Sequence, residues 1–176
     1  MKIAGVGEIG EDLAQIRAGE PVTAVGMETI RQFRGWGPET RALAGTYTRA
    51  ALTDMLGDDA VASATDATIT AFYTPDTIIN AGWAILNAAG LPANGRVLET
   101  GCGTGRWFTH APAGVDLVGV EADPFTADIA RQLHPRASIH TGPLETWSAP
   151  GVFDAAVGNP PYGRHQPYDP TRPTMS

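Results

Sequence analysis

Four short apolar runs mark the second half of the chain, and stretches with apolar residues three and four apart fill much of the remainder. The runs lie at 96–100, 116–121, 137–140 and 153–158. Their lengths and their Gly, Pro and Asp borders predict strands. Helical spacing is found over 8–18 (Ile9, Leu13, Ile16), over 27–34 (Met27, Ile30, then Phe33/Arg34) and over 39–56 (Leu43, Tyr47, Ala51, Met55), the last ending at Gly57. Residues 58–71 are rich in Ala, Thr and Asp with weak periodicity and predict a partly helical connector. After Tyr73, Thr74 predicts an N-cap, Pro75 the first helical position, and Asp76 a carboxylate at the positive helix end. Ile79, Trp83 and Leu86 form the stripe of that helix and Gly90 closes it. Asp123-Pro124 caps a further helix striped by Phe125, Ile129 and Leu133 and ended by His134-Pro135.

Strands alternating with helices predict an α/β chain with a parallel sheet. Right-handed crossovers, with a switch point beside the first strand, give the order 3-2-1-4 and put any ligand at the carboxyl ends of the strands. The stretch there is Arg96 to Phe108, RVLETGCGTGRWF. Gly101, Gly103 and Gly105 accept positive φ and carry no Cβ, so a ligand can approach the backbone closely. Their spacing is not that of a dinucleotide fingerprint, because the third glycine comes one residue early. Glu121 ends the second run 16 residues after Gly105, near where a carboxylate meets ribose hydroxyls in a βαβ nucleotide unit; otherwise it is simply a solvated acid. The fourth run leads into Asn159-Pro160-Pro161-Tyr162. Pro160 has no N–H and holds Asn159 extended, so a side-chain and a backbone carbonyl stand side by side with little freedom left. The plainer alternative is a proline-rich turn after a buried strand.

At 176 residues the chain is long enough for one real core. The start carries acids and no long apolar stretch, which argues against a secretion signal, and one cysteine, Cys102, permits no internal disulfide. Both fit a cytoplasmic protein. No Cys/His cluster suggests a metal, and His110, His134, His140 and His165 show no ligand spacing. Lys2 is the one lysine among 12 basic residues, a usage that points to a high-GC bacterial, plasmid or phage gene. The net charge of −7 runs against a free-standing nucleic-acid binder. Either the substrate is not nucleic acid or the basic surface lies elsewhere.

Taken together, the glycine turn, Glu121 and Asn159-Pro160-Pro161-Tyr162 resemble the S-adenosylmethionine-dependent methyltransferases of amino nitrogens, above all the N6-adenine DNA methyltransferases. The Phe72-Tyr73-Thr74-Pro75 tetrad ahead of the turn resembles that family's gamma order. The resemblance implies a Rossmann-like methyltransferase fold, incomplete here, with four strands legible where that fold has seven. It divides the chain into a helical N-terminal extension over 1–71, a partial cofactor-binding core over 72–163, and a polar, proline-rich tail over 164–176 expected to be poorly ordered. It also implies that Tyr73, Thr74, Pro75, Glu99, Gly101, Gly103, Gly105 and Glu121 hold S-adenosyl-L-methionine, Glu99 facing the methionine ammonium. Asn159 and Pro160 would accept the N–H groups of a target amine, while Pro161 and Tyr162 complete the motif and Tyr162 stacks on a flipped base. The family's usual acid after the third strand is missing: Pro143 follows Gly142, and Glu145 comes two residues later.

The substrate implied is adenine in DNA, as in restriction-modification systems. A protein glutamine or an RNA guanine would use the same motif, and a non-catalytic remnant or half of a split enzyme would retain the same ancestry. FRGWG at 33–37 resembles large plasmid and phage proteins that join an adenine methylase to a helicase, although Trp36 between glycines is equally a loop anchor. The implied partners are DNA and the remaining half of a methyltransferase or a helicase portion, with no membrane. The 176-residue chain alone is expected to be inactive.

Overall fold

The computed structural model describes residues 6–31, 45–67 and 73–160. Among the described residues four helices come first: α1 (Val6–Arg17), α2 (Ala24–Arg31), α3 (Thr46–Leu56) and α4 (Asp58–Ala67). The remainder alternates: α5 (Asp76–Ala88), β1 (Arg96–Thr100), α6 (Arg106–Thr109), β2 (Asp116–Glu121), α7 (Pro124–Leu133), β3 (Ser138–Thr141), a 3-10 turn (Leu144–Thr146) and β4 (Ala155–Gly158). All four strands are parallel in the order β3-β2-β1-β4, as the crossover rule predicts.

Because side chains alternate across a strand, the register decides what meets on each face. Val97, Leu117, Ile139, Ala155 and Val157 share one face and form a core with Ile79 and Trp83 of α5 and Trp107 and Phe108 of α6. Within that core the Trp83 indole N–H donates to the Trp107 carbonyl at 3.0 Å, and the two rings meet edge to face with centroids 6.1 Å apart. A Cβ on Gly82 would come within 2.5 Å of the Trp107 ring. The glycine in mid-helix therefore makes room for the indole, at the usual propensity cost of about 1 kcal/mol. On the opposite face Leu98 is half-buried and Ala156 is exposed.

A second core joins the N-terminal helices to α7. Leu13, Ile16, Ile30, Leu52, Leu56 and Val61 pack with Phe125 and Ile129, so the outer side of α7 is roofed by the preceding helices. One expectation needs correction here. The buried stripe of α3 is Leu52 and Leu56; Ala51 is exposed and Met55 only half-buried. Leucines hide more apolar area than Ala51, so α3 turns them inward. The stretch expected to be a partly helical connector is helix over 58–67, where Ala60, Val61 and Ala64 give it a buried face, and 68–71 lie outside the described residues. Phe33, Arg34, Trp36, Leu43 and the tail from 161 lie outside the described residues.

Helix ends obey local chemistry. Asp123 caps α7 by accepting from the Phe125 and Thr126 amides at 3.2 and 3.1 Å. Gly90, at φ +91°, closes α5, with the Leu91 amide returning to the Leu86 carbonyl and its own amide to Asn87. At the start of α5 the expectation is shifted by one residue. Pro75 itself occupies the cap and no side chain caps the helix, so Thr74 stands outside it. Among the described helices none is long and apolar enough to cross a membrane.

Ile129 has no exposed surface and belongs to the core shared by α7 and the N-terminal helices. Ile129→Ala should therefore lower unfolding stability by about 2–5 kcal/mol. Urea denaturation followed by far-ultraviolet circular dichroism should show one transition moving as a whole, because both parts share this core.

Candidate functional site

The turn after β1 is built by three glycines with different duties. Gly101, Gly103 and Gly105 lie at φ +66°, +55° and +79°, the left-handed region that other residues rarely enter. A Cβ on Gly103 would meet the Tyr73 ring at 2.9 Å, and one on Gly105 would meet the His134 ring at 2.5 Å. A Cβ on Gly101 would meet nothing within 4 Å, so there glycine answers to backbone conformation alone. Backbone bonds then close the turn: Cys102 N–H to the Val120 carbonyl at 2.9 Å and Gly105 N–H to the Cys102 carbonyl at 2.8 Å.

Glu121 is part of this turn rather than a solvated acid. Its carboxylate accepts from the Gly103 amide at 2.8 Å and from the Asp123 amide at 2.9 Å. The end of β2 thereby ties the loop after β1 to the start of α7. Burial raises the Glu121 pKa, opposed by those backbone N–H groups. An ionised carboxylate has roughly four acceptor positions, so these amides, with that of Ala122, do not exhaust it.

Glu99 is the anomaly of the site. It follows Val97 by two, so it points into the helix-covered face, opposite Gly119 in the register and beside Val157 on β4. Gly119 leaves a gap that Cys102 Sγ and the Phe108 ring fill, at 2.7 and 3.0 Å from where a Cβ would stand. The outcome is a carboxylate only 4% exposed, with Oε2 buried and without a hydrogen-bond partner among the described residues. Burial, reinforced by the negative charge of Glu121, pushes its pKa well above the usual carboxylate range. Burial likewise raises the Cys102 thiol and the Tyr73 phenol, whose hydroxyl is bonded to Thr104. An orphaned buried acid beside an open glycine turn suits a cationic ligand group.

A cleft of about 210 Å³ opens over the carboxyl ends of all four strands. Thr100 and Gly101 line it after β1, Val120 and Ala122 after β2, Gly142 to Glu145 after β3, and Asn159 and Pro160 after β4. Pro143 and Glu145 thus both reach the cleft where the expected acid is missing. Gly158 lets β4 lie this close, since a Cβ there would fall 2.8 Å from the Thr100 backbone oxygen. Tyr73 packs on the glycine turn and Thr74 is half-buried, while Pro75 and Asp76 are exposed at the start of α5. Asp76 pairs with Arg106 and with His110 Nε2, the latter at 3.2 Å, linking α5 to α6; the Arg106 guanidinium holds its carboxyl below the ordinary range. Pro161 and Tyr162 lie outside the described residues.

Sequence reasoning missed His134. Its Nε2–H donates to the Thr104 carbonyl at 3.2 Å across 30 residues of chain, and its ring stands edge-on to Phe108 at 5.5 Å. No local spacing could have revealed that contact.

No protein-family model matches the chain. Its sequence relatives are Type II methyltransferases. It is 32% identical over 157 residues to the Type II methyltransferase M.XamI of Xanthomonas campestris pv. amaranthicola, a match over 82% of this chain and 27% of that protein. It is 39% identical over 83 residues to M.TthHB8I of Thermus thermophilus, over 45% of this chain and 18% of that protein. The chain thus spans about a fifth to a quarter of the length of the curated relatives it matches. The structure of SAM-bound CalS10, an amino pentose methyltransferase from Micromonospora echinaspora, aligns with 47% of this chain and 35% of its own, at 27% identity and TM-score 0.41.

The buried acid sets a pH signature. Below the ordinary glutamate pKa of about 4.3 both folded and unfolded chains hold the Glu99 proton, and the site costs nothing. As pH rises, the unfolded chain ionises first while the folded chain retains its proton, so stability falls until the raised folded pKa is passed. Glu99→Gln removes this dependence. Melting temperatures of the two proteins should converge near pH 4, and the variant should be the more stable at pH 8; equal melting at pH 8 would contradict the buried placement.

Proposed function

We propose that these residues form the cofactor-binding and target-facing part of an S-adenosylmethionine-dependent methyltransferase that modifies N6 of adenine in DNA. The observation that carries this reading is the cleft over the carboxyl ends of the four strands, with Gly101, the first glycine of the turn, and Asn159-Pro160 both in its wall. In open α/β sheets that crevice is where ligands bind. The kinship with Type II methyltransferases supports the same reading.

The cofactor would supply an electrophilic sulfonium methyl. Glu99, buried and with no partner at Oε2 among the described residues, offers a compensating charge to its ammonium. Gly101, Gly103 and Gly105 allow its amino-acid end to lie against the backbone, with Tyr73, Thr74 and Pro75 flanking the turn. Glu121 keeps acceptor capacity for ribose hydroxyls while it holds the Gly103 amide. Across the cleft, the Asn159 side-chain carbonyl and the Pro160 backbone carbonyl accept the two N–H groups of the target amine. That draws the nitrogen toward tetrahedral geometry and aims its lone pair at the methyl. Pro161 and Tyr162 complete this wall, Tyr162 as a stacking face for an extruded base.

DNA, together with further polypeptide that completes the sheet, is the partner set of this reading. Two features favour the second element: β4 ends the sheet with one edge unpaired among the described residues, and the matched relatives are several times longer. A helicase portion and a cytoplasmic setting belong to the same reading.

Calorimetry with S-adenosylmethionine tests the cofactor side. The chain should bind it, and Glu99→Gln should weaken binding although it stabilises the protein at pH 8. In a form that turns over, Asn159→Ala should cost at least ~10²-fold in kcat for tritiated-methyl transfer to unmethylated DNA, with cofactor affinity little changed. Undiminished transfer by that variant would remove Asn159 from the site.

A further inference from the structure

The glycine turn has a weakness in its own chemistry. A peptide unit next to glycine flips readily, because no Cβ hinders the rotation and both the left- and right-handed regions are open. A flip of the Thr104–Gly105 peptide would exchange the directions of the Thr104 carbonyl and the Gly105 amide, and would alter the surface a ligand meets. Both ends of that peptide are held. The Gly105 amide donates to the Cys102 carbonyl at 2.8 Å, and the Thr104 carbonyl accepts from His134 Nε2 at 3.2 Å.

His134 is itself tightly placed. It follows the last residue of α7, its amide returns to the Ala130 carbonyl at 2.9 Å, and its ring stands edge-on to Phe108. The same ring occupies the space where a Gly105 Cβ would be. Since a carbonyl can only accept, the bond places a hydrogen on Nε2.

We propose that His134 is a positioning residue for the cofactor turn: its Nε2–H pins the Thr104–Gly105 peptide in the one orientation that the S-adenosylmethionine site requires. This rests on the cofactor reading above. It adds that the fidelity of the turn is set from α7, one strand away, and not by the glycines alone. Tyr73 holds Thr104 as well, through its hydroxyl, so Thr104 is gripped from the segment leading into α5 and from the end of α7.

Two variants of the whole chain separate this role from packing. His134→Phe keeps an aromatic ring against Phe108 and deletes the donor. His134→Gln places an amide donor at a similar distance along the side chain and deletes the ring. Amide hydrogen exchange read by nuclear magnetic resonance should show Gly105 and Gly103 exchanging ~2- to 10-fold faster in His134→Phe, the effect of one neutral hydrogen bond. Val118 and Val120 in β2 should be unchanged, and His134→Gln should restore slow exchange in the turn. Calorimetry should show S-adenosylmethionine affinity falling by the same ~2- to 10-fold in His134→Phe and recovering in His134→Gln. Wild-type exchange in the turn of His134→Phe overturns the proposal, as does wild-type affinity in that variant. If the unmodified chain binds no S-adenosylmethionine, the cofactor reading fails, and the exchange rates still decide whether His134 holds the turn.

Discussion

A carboxylate holding backbone amides is the interaction on which the remainder of the site depends. Glu121 reaches from the end of β2 to the Gly103 amide and to the Asp123 amide. One side chain therefore fixes the loop after β1 and the entry to α7 together. A turn with three left-handed glycines is a poor candidate for rigidity, since glycine loses the most freedom on ordering. Fastening it by a charge-assisted bond is an effective remedy, because such bonds are roughly twice as strong as neutral ones. Tyr73 and His134 complete the restraint from two further elements.

The fold was readable from the chain where the physics is local or nearly so. Strands at 96–100 and 116–121 are found at those residues, β3 lies one residue further on, and β4 is the shorter Ala155–Gly158. Apolar runs between turn formers leave few alternatives, and crossover handedness then fixes the order. Reading was weaker where side-chain volume decides orientation. In α3 the periodicity of Ala51 and Met55 competed with that of Leu52 and Leu56, and only packing against α1, α4 and α7 selects the leucines. Thr74 was the better cap by propensity, yet the chain places Pro75 there. The glycine turn itself was plain. What surrounds it was hidden, because Tyr73 and His134 reach it from 30 residues away on either side.

Electrostatically the site is built against its own stability. Glu99 and Glu121 both sit in low-dielectric surroundings within one small region, and each is pushed toward its protonated form by burial. Glutamate at 99 faces the apolar side of the sheet, where Val97 and Val157 show what packing alone would choose. A buried acid with no partner for one oxygen among the described residues lowers stability, and such departures from packing logic concentrate where chains bind or react.

Gly158, Asn159 and Pro160 show how the same logic works at the far wall of the cleft. Gly158 lets β4 approach Thr100 more closely than any side chain would allow, which brings the chain beyond it to the mouth of the glycine turn. Pro160, lacking an N–H, cannot extend the ladder, and the register with β1 stops at Gly158. A strand that continued would have spent its carbonyls on pairing. Stopping it at this point leaves Asn159 and Pro160 in the wall of the cleft, with Thr100 and Gly101 at the end of β1 lining the same space. Close approach at Gly158 and the missing N–H of Pro160 thus act together: the one brings the end of β4 up to β1, and the other ends the pairing there.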